Sequence, residues 1–189
     1  MVLNPRGKYF DQLTKAKSTL NDQDTYLGED AVTLEHNSRN LTERNKIMDA
    51  NAELIVDYLH ASKSPAISKI LYPKYSRDVD NFEECRREGA TGYGCLFSVI
   101  LSSVEAARAF LDNLPAEKGP SLGTNFTISI PFGLPWRLIP EVKEWATKSE
   151  IDIPESLVRV SVGLEDGELL RKGIERALGE AEKAVAGDR

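Results

Sequence analysis

An arginine inside a strand-like stretch is the first residue whose chemistry suggests a binding site. Residues 157–166 read LVRVSVGLED, and Val158, Val160 and Val162 occupy every second position there. This alternation is typical of a half-buried strand, so the valines share a core face and Arg159 lies on the opposite one. A guanidinium on such a face either forms a surface ion pair or binds a carboxylate or phosphate through paired hydrogen bonds. The strand alone favours the surface interpretation, because exposed sheet faces commonly carry charge.

The residues that follow this strand are typical of a helix start. Gly163 relaxes the backbone, and Glu165 or Asp166 can cap the next helix. Adjacent carboxylates at a helix N-terminus are explained by capping and by the helix dipole, so we set them aside as an acid–base pair. His36 and His60 are interpreted as a solvated and a helix-terminal side chain, rather than as bases.

Composition and charge exclude several classes of function. The chain of 189 residues is 41% hydrophobic, enough to fill a core, and its net charge of −6 argues against a nucleic-acid surface. The N-terminal segment lacks the apolar core of a secretory signal, and no stretch approaches the length of a membrane span. Cys85 and Cys95 have no metal-ligand spacing and are interpreted as reduced thiols, which favours a cytoplasmic protein.

The first third of the chain has a helical pattern. Residues 8–20 predict a short helix, and residues 21–30 predict a polar loop. Residues 31–60 carry an apolar stripe that includes Leu41, Met48, Ile55 and Leu59, which predicts two consecutive helices or one long bent helix. The chain is therefore expected to divide into residues 1–63 and residues 64–189.

The second part of the chain alternates between strands and helices. Strands are predicted at residues 66–72, 95–101, 125–130 and 157–162. Helices are predicted at residues 104–114, 136–147 and 166–186, the first of them after a Ser102–Glu105 capping box. Surface loops are predicted at residues 74–91 and 117–123. The fold class is therefore α+β, with a small, mostly antiparallel sheet that helices cover on one face.

Several of these stretches together resemble one enzyme family. LVRVSVGLED resembles the C-terminal signature of the Cys/Met-metabolism family of pyridoxal-phosphate-dependent enzymes, which includes cystathionine γ-synthase, cystathionine γ-lyase and O-acetylhomoserine sulfhydrylase. The weaker matches, in the family's order, are Val2-Leu3-Asn4-Pro5, the R-x6-N-A spacing from Arg44 to Ala52, Gly92-Tyr93-Gly94 and Ser121-Leu122-Gly123. The signature together with SLG is a specific pair. Residues 35–40 and 124–131 look closest to the fungal cystathionine γ-synthase branch.

The resemblance implies a fold and two substrate-binding residues. The fold would be the C-terminal small domain of a fold-type I pyridoxal-phosphate transferase, preceded by a helical remnant of the large domain. Arg159 would hold the α-carboxylate of an amino-acid substrate with its planar guanidinium, so the functional interpretation of this residue is now favoured. Ser121 would line the same pocket, although a loop hydroxyl that satisfies a turn is an equal alternative.

The resemblance also implies a cofactor, although no cofactor-binding residue can be assigned in this chain. Pyridoxal phosphate is bound as a Schiff base by a lysine, which in this family lies upstream of the segment matching Val2 to Pro5. Lys8, Lys15 and Lys17 come after that segment, so the family gives no reason to choose them, and no catalytic residue is assigned. The expected protein is a partial cystathionine γ-synthase-like transsulfuration enzyme, which would catalyse γ-replacement on an O-acylhomoserine with cysteine and is inactive alone.

Two alternatives of other classes remain open. The chain is either a non-catalytic interaction domain that assembles with a full-length relative, or a free-standing α+β domain that binds a small carboxylate through Arg159. No nucleic-acid or membrane partner is expected. The reaction type within the family also stays open, because Pro120 precedes Ser121 at a position where several members carry an acid.

Overall fold

The structure is a computed structural model that describes residues 4–20, 27–90, 92–133, 139–148 and 153–187. It contains two compact units, Met1–Leu41 and Thr42–Arg189. Nearly all of the third helix, Leu41–Ser62, lies in the second unit, together with the sheet. The compact units therefore divide earlier than the expected boundary at residues 63 and 64. The assignment of residues 1–63 to a larger domain stays a prediction.

The first unit contains two helices, α1 (Phe10–Leu20) and α2 (Gly28–Ser38). The helix α2 ends before α3 begins at Leu41, so the interpretation as two consecutive helices is confirmed. Residues 21–26 of the predicted loop at 21–30 lie outside the described residues. The end of that loop is wrong, because α2 starts at Gly28 with acidic residues that suit the positive end of a helix. No residue of α2 is buried.

The helix α3 (Leu41–Ser62) buries one face in the second unit. The predicted stripe is confirmed at Met48, Ile55 and Leu59, which are almost fully buried. It is wrong at Leu41, which is 48% exposed at the first turn of the helix, before the packed part begins. The packed length of α3 therefore starts near its second turn.

Five strands form one sheet in the order β1-β2-β5-β4-β3. The strands are β1 (Ile67–Leu71), β2 (Leu96–Leu101), β3 (Glu117–Lys118), β4 (Ile128–Ile130) and β5 (Leu157–Ser161). Every pairing is antiparallel except that of β3 with β4. The mostly antiparallel sheet is thus confirmed, while the predicted loop at 117–123 contains the two-residue strand β3.

Helices cover the valine face of the sheet. The helices α5 (Val104–Asn113) and α7 (Gly167–Gly187) pack against each other, and their buried residues share one core with those of α3. Phe97 and Val99 of β2 lie opposite Val160 and Val158 of β5, and all four side chains are almost fully buried. Because burial of apolar area is favourable by about 25 cal/mol per Å², this shared face stabilises the domain. The predicted inward face of β5 is confirmed.

The largest departure from the predicted elements lies between β1 and β2. The predicted loop at 74–91 contains a 3₁₀ turn (Pro73–Tyr75) and the helix α4 (Val79–Cys85). The sequence of α4 lacks a sustained apolar stripe, so periodicity does not reveal it. It is held instead by its aromatic and cationic neighbours, because the Phe82 ring stacks on Tyr93 and Arg86 lies over both rings.

Two helix starts differ from the sequence expectation. The cap of α5 is Ser103, whose Oγ accepts a hydrogen bond from the Ala106 N–H at 3.0 Å, so the capping box starting at Ser102 is wrong by one residue. The helix α6 (Pro140–Lys148) begins at Pro140, as expected for a proline in the first turn. The predicted helical residues 136–138 lie outside the described residues.

Two searches of the described ranges gave negative results. No helix there is both long enough and apolar enough to cross a bilayer. The same residues contain no group of three or more histidine, cysteine, aspartate or glutamate side chains arranged to hold a metal ion.

Candidate functional site: an arginine clamp on the open sheet face

Arg159 lies at the middle of β5, which is itself the middle strand of the sheet. It is paired with Ser98 of β2 on one side and with Ile130 of β4 on the other. Because side chains alternate along a strand, Arg159 projects from the face opposite the valines. Its side chain is partly buried rather than extended into solvent. The sequence prediction for the face that Arg159 occupies is confirmed.

The guanidinium of Arg159 is held in place by backbone oxygens and by an aromatic ring. Its Nη2 donates a hydrogen bond of 2.7 Å to the Pro120 carbonyl and a longer one of 3.4 Å to that of Ser121. Its Cζ lies 5.0 Å from the centre of the Phe132 ring. In the described part of the chain, all hydrogen bonds of this guanidinium come from Nη2. A guanidinium has five N–H donors, so among the described residues those on Nε and Nη1 have no hydrogen-bond partner.

Burial changes the electrostatics of this group. Desolvation lowers the pKa of the Arg159 guanidinium from its ordinary value. The charge survives at neutral pH, since an arginine side chain starts from a pKa far above 7. A partly desolvated cation interacts more strongly with an anion than a fully hydrated one does. The site is therefore a fixed positive charge with open donors, which suits a carboxylate.

In the structure, Ser121 contacts Arg159 through the serine's backbone carbonyl. The Ser121 carbonyl is the second acceptor of Nη2, whereas the residue as a whole is exposed. The predicted neighbourhood of the two residues is thus observed. The predicted role of the Ser121 hydroxyl in lining a carboxylate pocket stays a prediction.

The loop that carries Ser121 is fixed to β5 at a second point. The Gly123 N–H donates a hydrogen bond of 3.1 Å to the Oγ of Ser161, which is 2% exposed. Gly123 has a φ of +66°, a left-handed conformation that other residues adopt only at a cost. The S-L-G spacing therefore combines a carbonyl for Arg159 with the glycine that turns the loop back onto β5. Sequence reasoning missed Ser161, although its place two residues after Arg159 puts it on the same face.

Glu165 holds the segment before β4 against the end of β5. Its carboxylate accepts hydrogen bonds from both the N–H and the hydroxyl of Thr127. The Thr127 hydroxyl in turn accepts from the Gly163 N–H at 3.0 Å. Of the two predicted caps for α7, the structure chooses Asp166, whose Oδ1 accepts from the Leu169 N–H at 2.9 Å. Glu165 instead binds Thr127, the residue before β4.

Asn51 of α3 locks the same junction from the other side. Its Nδ2 donates to the carbonyls of Gly163 and Glu165 at 3.2 and 2.8 Å. The R-x6-N-A spacing and the LVRVSVGLED signature, which are 112 residues apart at this contact, therefore meet in one structural element. Sequence reasoning noted Asn51 as part of a motif but assigned it no contact.

The Gly92-Tyr93-Gly94 segment passes close to α3 at its first glycine. Both glycines have positive φ, and a Cβ on Gly92 would lie 2.6 Å from the Cβ of Asp49. The Tyr72 hydroxyl donates a hydrogen bond of 2.9 Å to the Gly94 carbonyl. Burial raises the pKa of the Cys95 thiol that follows, and Asp49 adds to this. Cys95 is thus a partly buried thiol, as the sequence indicated.

Two described lysines of the second unit, Lys118 and Lys74, bear on whether these residues could hold a pyridoxal phosphate. Lys118 donates to the Leu114 carbonyl and the Ser129 hydroxyl, on the helix-covered face and away from Arg159. Lys74 is bound by Glu53 and Asp57. These contacts do not fit a cofactor site beside Arg159, so no step through the cofactor is derived from the described residues.

Comparison with known proteins was made by sequence and by structure. The sequence profile of the "Cys/Met metabolism PLP-dependent enzyme" family matches residues 21–179. The cystathionine gamma-synthase-like enzyme iboG1 of Amanita muscaria is 39% identical over 98% of this chain and 33% of its own length. The cystathionine gamma-synthase of Saccharomyces cerevisiae is 37% identical over 95% of this chain and 29% of its own.

Solved structures agree with the sequence comparison. The crystal structure of cystathionine gamma-lyase from yeast superposes with a TM-score of 0.63 and 26% identity, covering 75% of this chain and 36% of that one. Cystathionine gamma synthase from Xanthomonas oryzae gives a TM-score of 0.62 at 23% identity, which supports the fold alone. The chain spans about a third of the length of the curated relatives that it matches. It belongs to the Cys/Met metabolism family of enzymes, whose cofactor is pyridoxal phosphate.

Proposed function

We propose that this chain supplies the substrate-carboxylate clamp of a cystathionine γ-synthase-like transsulfuration enzyme. The reaction would be γ-replacement on an O-acylhomoserine with cysteine. The observation that carries the proposal is the Arg159 guanidinium, which two backbone carbonyls and a ring contact, while no described residue binds its Nε or Nη1 donors. The relatives named cystathionine gamma-synthase, at 37–38% identity, support the reaction type.

The chain's own residues would bind and orient the substrate. Arg159 would hold the α-carboxylate with charge-assisted hydrogen bonds, so that the substrate's orientation in the site is restricted. Binding in one orientation raises the fraction of substrate molecules that are in the reactive geometry. This effect is among the larger contributions to enzymatic rate. Ser161 and Gly123 would keep the loop carbonyls at the distance that Arg159 requires. When bound, pyridoxal phosphate supplies the electron sink for chemistry at the substrate's α-carbon.

We propose further that the cofactor lysine lies outside this sequence. Two observations support this: the chain spans about a third of its relatives, and the amines of Lys74 and Lys118 are engaged elsewhere. The isolated chain would then bind amino acids without turning them over. A cytoplasmic location is proposed as well, supported by the two free cysteines.

One experiment separates the parts of this proposal. The purified chain is incubated with pyridoxal phosphate, reduced with borohydride and mapped by peptide mass spectrometry, while O-acetyl-L-homoserine binding is followed by calorimetry. We expect no single lysine to be labelled stoichiometrically, and we expect binding that Arg159→Lys weakens at least tenfold. Arg108→Lys, an exposed position on α5, is the matched control and leaves binding unchanged. Stoichiometric labelling of one lysine would contradict the proposal that the lysine lies elsewhere.

A second candidate function is supported by the first unit. The helix α2 has no buried residue, and the apolar side chains of Leu27, Val32 and Leu34 are 64%, 70% and 57% exposed. Exposed apolar side chains that lie near one another commonly mark a protein–protein interface. The alternative proposal is a non-catalytic interaction domain that assembles with a full-length relative.

Co-expression distinguishes this alternative from the first proposal. The chain is produced together with a full-length cystathionine γ-synthase, and the complex is sought by size exclusion with light scattering. Under the alternative, a stable hetero-oligomer forms and Val32→Glu abolishes it, whereas Arg159→Lys does not. If the two proteins elute separately, the interaction-domain proposal is wrong for that partner.

A further inference from the structure

Phe132 is placed over Arg159 by the strand that precedes it. The strand β4 ends at Ile130, and Ile130 lies directly opposite Arg159 in the sheet. Phe132 follows two residues later, in the turn after the strand, and its ring lies beside Arg159. The Arg159 Cζ lies 5.0 Å from the Phe132 ring centre, within the range of a cation–π contact.

Gly133, the residue after Phe132, lies close against the segment that precedes β5. Gly133 is buried, and a Cβ built on it would overlap the carbonyl oxygen of Pro154. The segment is therefore pressed against the chain that enters β5, the same strand that carries Arg159. Both partners of the contact are thus tied to β5, which fixes the ring relative to the guanidinium.

We propose that Phe132 is a positioning residue for the Arg159 clamp. It covers one face of the guanidinium, while the carbonyls of Pro120 and Ser121 hold Nη2. Together they restrict the guanidinium, so that the N–H groups on Nε and Nη1 point in fixed directions before a ligand binds. This inference rests on the proposed function of Arg159 as a carboxylate clamp. It assigns a role to a residue that none of the sequence motifs contains.

The test measures the guanidinium directly. Nitrogen-15 NMR of the full chain follows the Arg159 Nε–H resonance and the rotation about the Nε–Cζ bond, in the wild type and in Phe132→Leu. We expect Phe132→Leu to remove the ring-current shift of Nε–H and to speed the rotation several-fold. Phe132→Tyr keeps both wild-type values because it keeps the ring. Phe126→Leu is the matched control, since Phe126 is 48% exposed and its ring is not stacked on Arg159 in the structure.

Ligand binding is the second arm. Titration with L-homoserine is expected to give a Kd about two- to fivefold weaker in Phe132→Leu, the loss typical of a partly exposed cation–π contact. Phe132→Tyr and Phe126→Leu keep the wild-type Kd. Circular dichroism confirms that each variant is folded, and Phe132→Met replaces the leucine variant if that one unfolds.

The NMR and the ligand-binding measurements together show which of the two proposals is wrong if one fails. If the resonance and the rotation rate of Arg159 are the same in Phe132→Leu and the wild type, the positioning role is wrong. If they change as expected but the wild-type chain does not bind L-homoserine, Phe132 still positions Arg159, and the proposed clamp function of the isolated chain is what fails. If both arms change, the two proposals stand together.

Discussion

Asn51 and Gly167 meet so closely that no side chain fits between them. A Cβ on Gly167 would lie 2.5 Å from the Asn51 Oδ1, while the Asn51 Nδ2 donates to the carbonyls of Gly163 and Glu165. Asn51 therefore joins α3 by hydrogen bonds to the segment between β5 and α7, which follows Arg159 in the chain. The segment that follows β5, the strand of Arg159, is thus held by α3.

Because of these contacts, we expect Asn51 to stabilise the folded chain. Asn51 is 9% exposed, so Asn51→Ala leaves two carbonyls without their amide donor and should lower the free energy of unfolding by about 1–3 kcal/mol. Urea denaturation monitored by circular dichroism measures the change. The control is Asn113→Ala, whose amide donates only to the Ala109 carbonyl of its own helix, and its effect should be smaller. Equal effects of the two substitutions would contradict the locking role.

Gly123 connects loop conformation to ligand binding. Its φ of +66° disfavours any side chain, although no atom lies within 4 Å of a Cβ built there. Gly123→Ala should therefore cost about 1–2 kcal/mol through backbone strain alone, and should weaken L-homoserine binding because the loop carbonyls shift from Arg159.

Gly179 provides the opposite case for comparison. It lies inside α7, its Cβ position is equally open, and it has no positive φ. Gly179→Ala should raise the free energy of unfolding by about 0.5–1 kcal/mol without changing the Kd for L-homoserine. Thermal denaturation and calorimetry of the two alanine variants give both quantities. If Gly123→Ala stabilised the chain as Gly179→Ala does, the strain argument would be wrong.

The two thiols should differ in reactivity. Burial, with a smaller contribution from the Asp49 charge, raises the pKa of the Cys95 thiol, so less thiolate is present at any given pH. Cys85 is exposed. Iodoacetamide at pH 8 should therefore modify Cys85 first, and the Cys95 rate should rise only at higher pH. Mass spectrometry of timed samples measures both rates.

Asp49 allows the cause of the Cys95 shift to be tested. Because a nearby negative charge disfavours the thiolate, Asp49→Asn should lower the pKa of Cys95 and speed its alkylation at pH 8. Glu105→Gln, on the exposed first turn of α5, should leave the rate unchanged. A Cys95 rate that does not respond to Asp49→Asn would mean that burial alone sets the shift.

The parts of the fold that follow from periodicity were predictable, and the parts that depend on distant contacts were not. Alternation alone put Arg159 on the open face and the valines in the core, as the structure has them. The helix α4 escaped prediction because stacking with Tyr93 and Arg86, rather than an apolar stripe, holds it. Local pattern also could not choose between Ser102 and Ser103, since both serines precede the same helix.

The candidate site was likewise predictable only in part from the sequence. The resemblance to the family singled out Arg159 and Ser121, and the structure brings them together, although at the backbone carbonyl of the serine. Phe132 and Ser161 could not be assigned from the sequence, because their contacts with Arg159 and Gly123 depend on how β4 and the loop fold onto β5. Neither residue has a local spacing that predicts such a contact.

Glu165 and Asp166 are adjacent carboxylates with different structural roles, and substitution separates them. Asp166→Ala removes the cap of α7 and should cost about 1 kcal/mol. Glu165→Ala leaves the N–H and hydroxyl of Thr127, which is 3% exposed, without their acceptor and should cost more, about 1–3 kcal/mol. Urea denaturation gives the two free energies.

Hydrogen exchange then locates each defect. Asp166→Ala should speed exchange of the Leu169 N–H, which donates to the lost carboxylate, while the Thr127 N–H stays protected. Glu165→Ala should speed exchange at Thr127 and at Gly163, whose N–H depends on the orientation of the Thr127 hydroxyl, while the first turn of α7 stays protected. Faster exchange at Leu169 in Glu165→Ala would mean that both carboxylates cap the helix. Because Thr127 precedes β4, and β4 leads to Phe132, loss of Glu165 alone should also weaken L-homoserine binding.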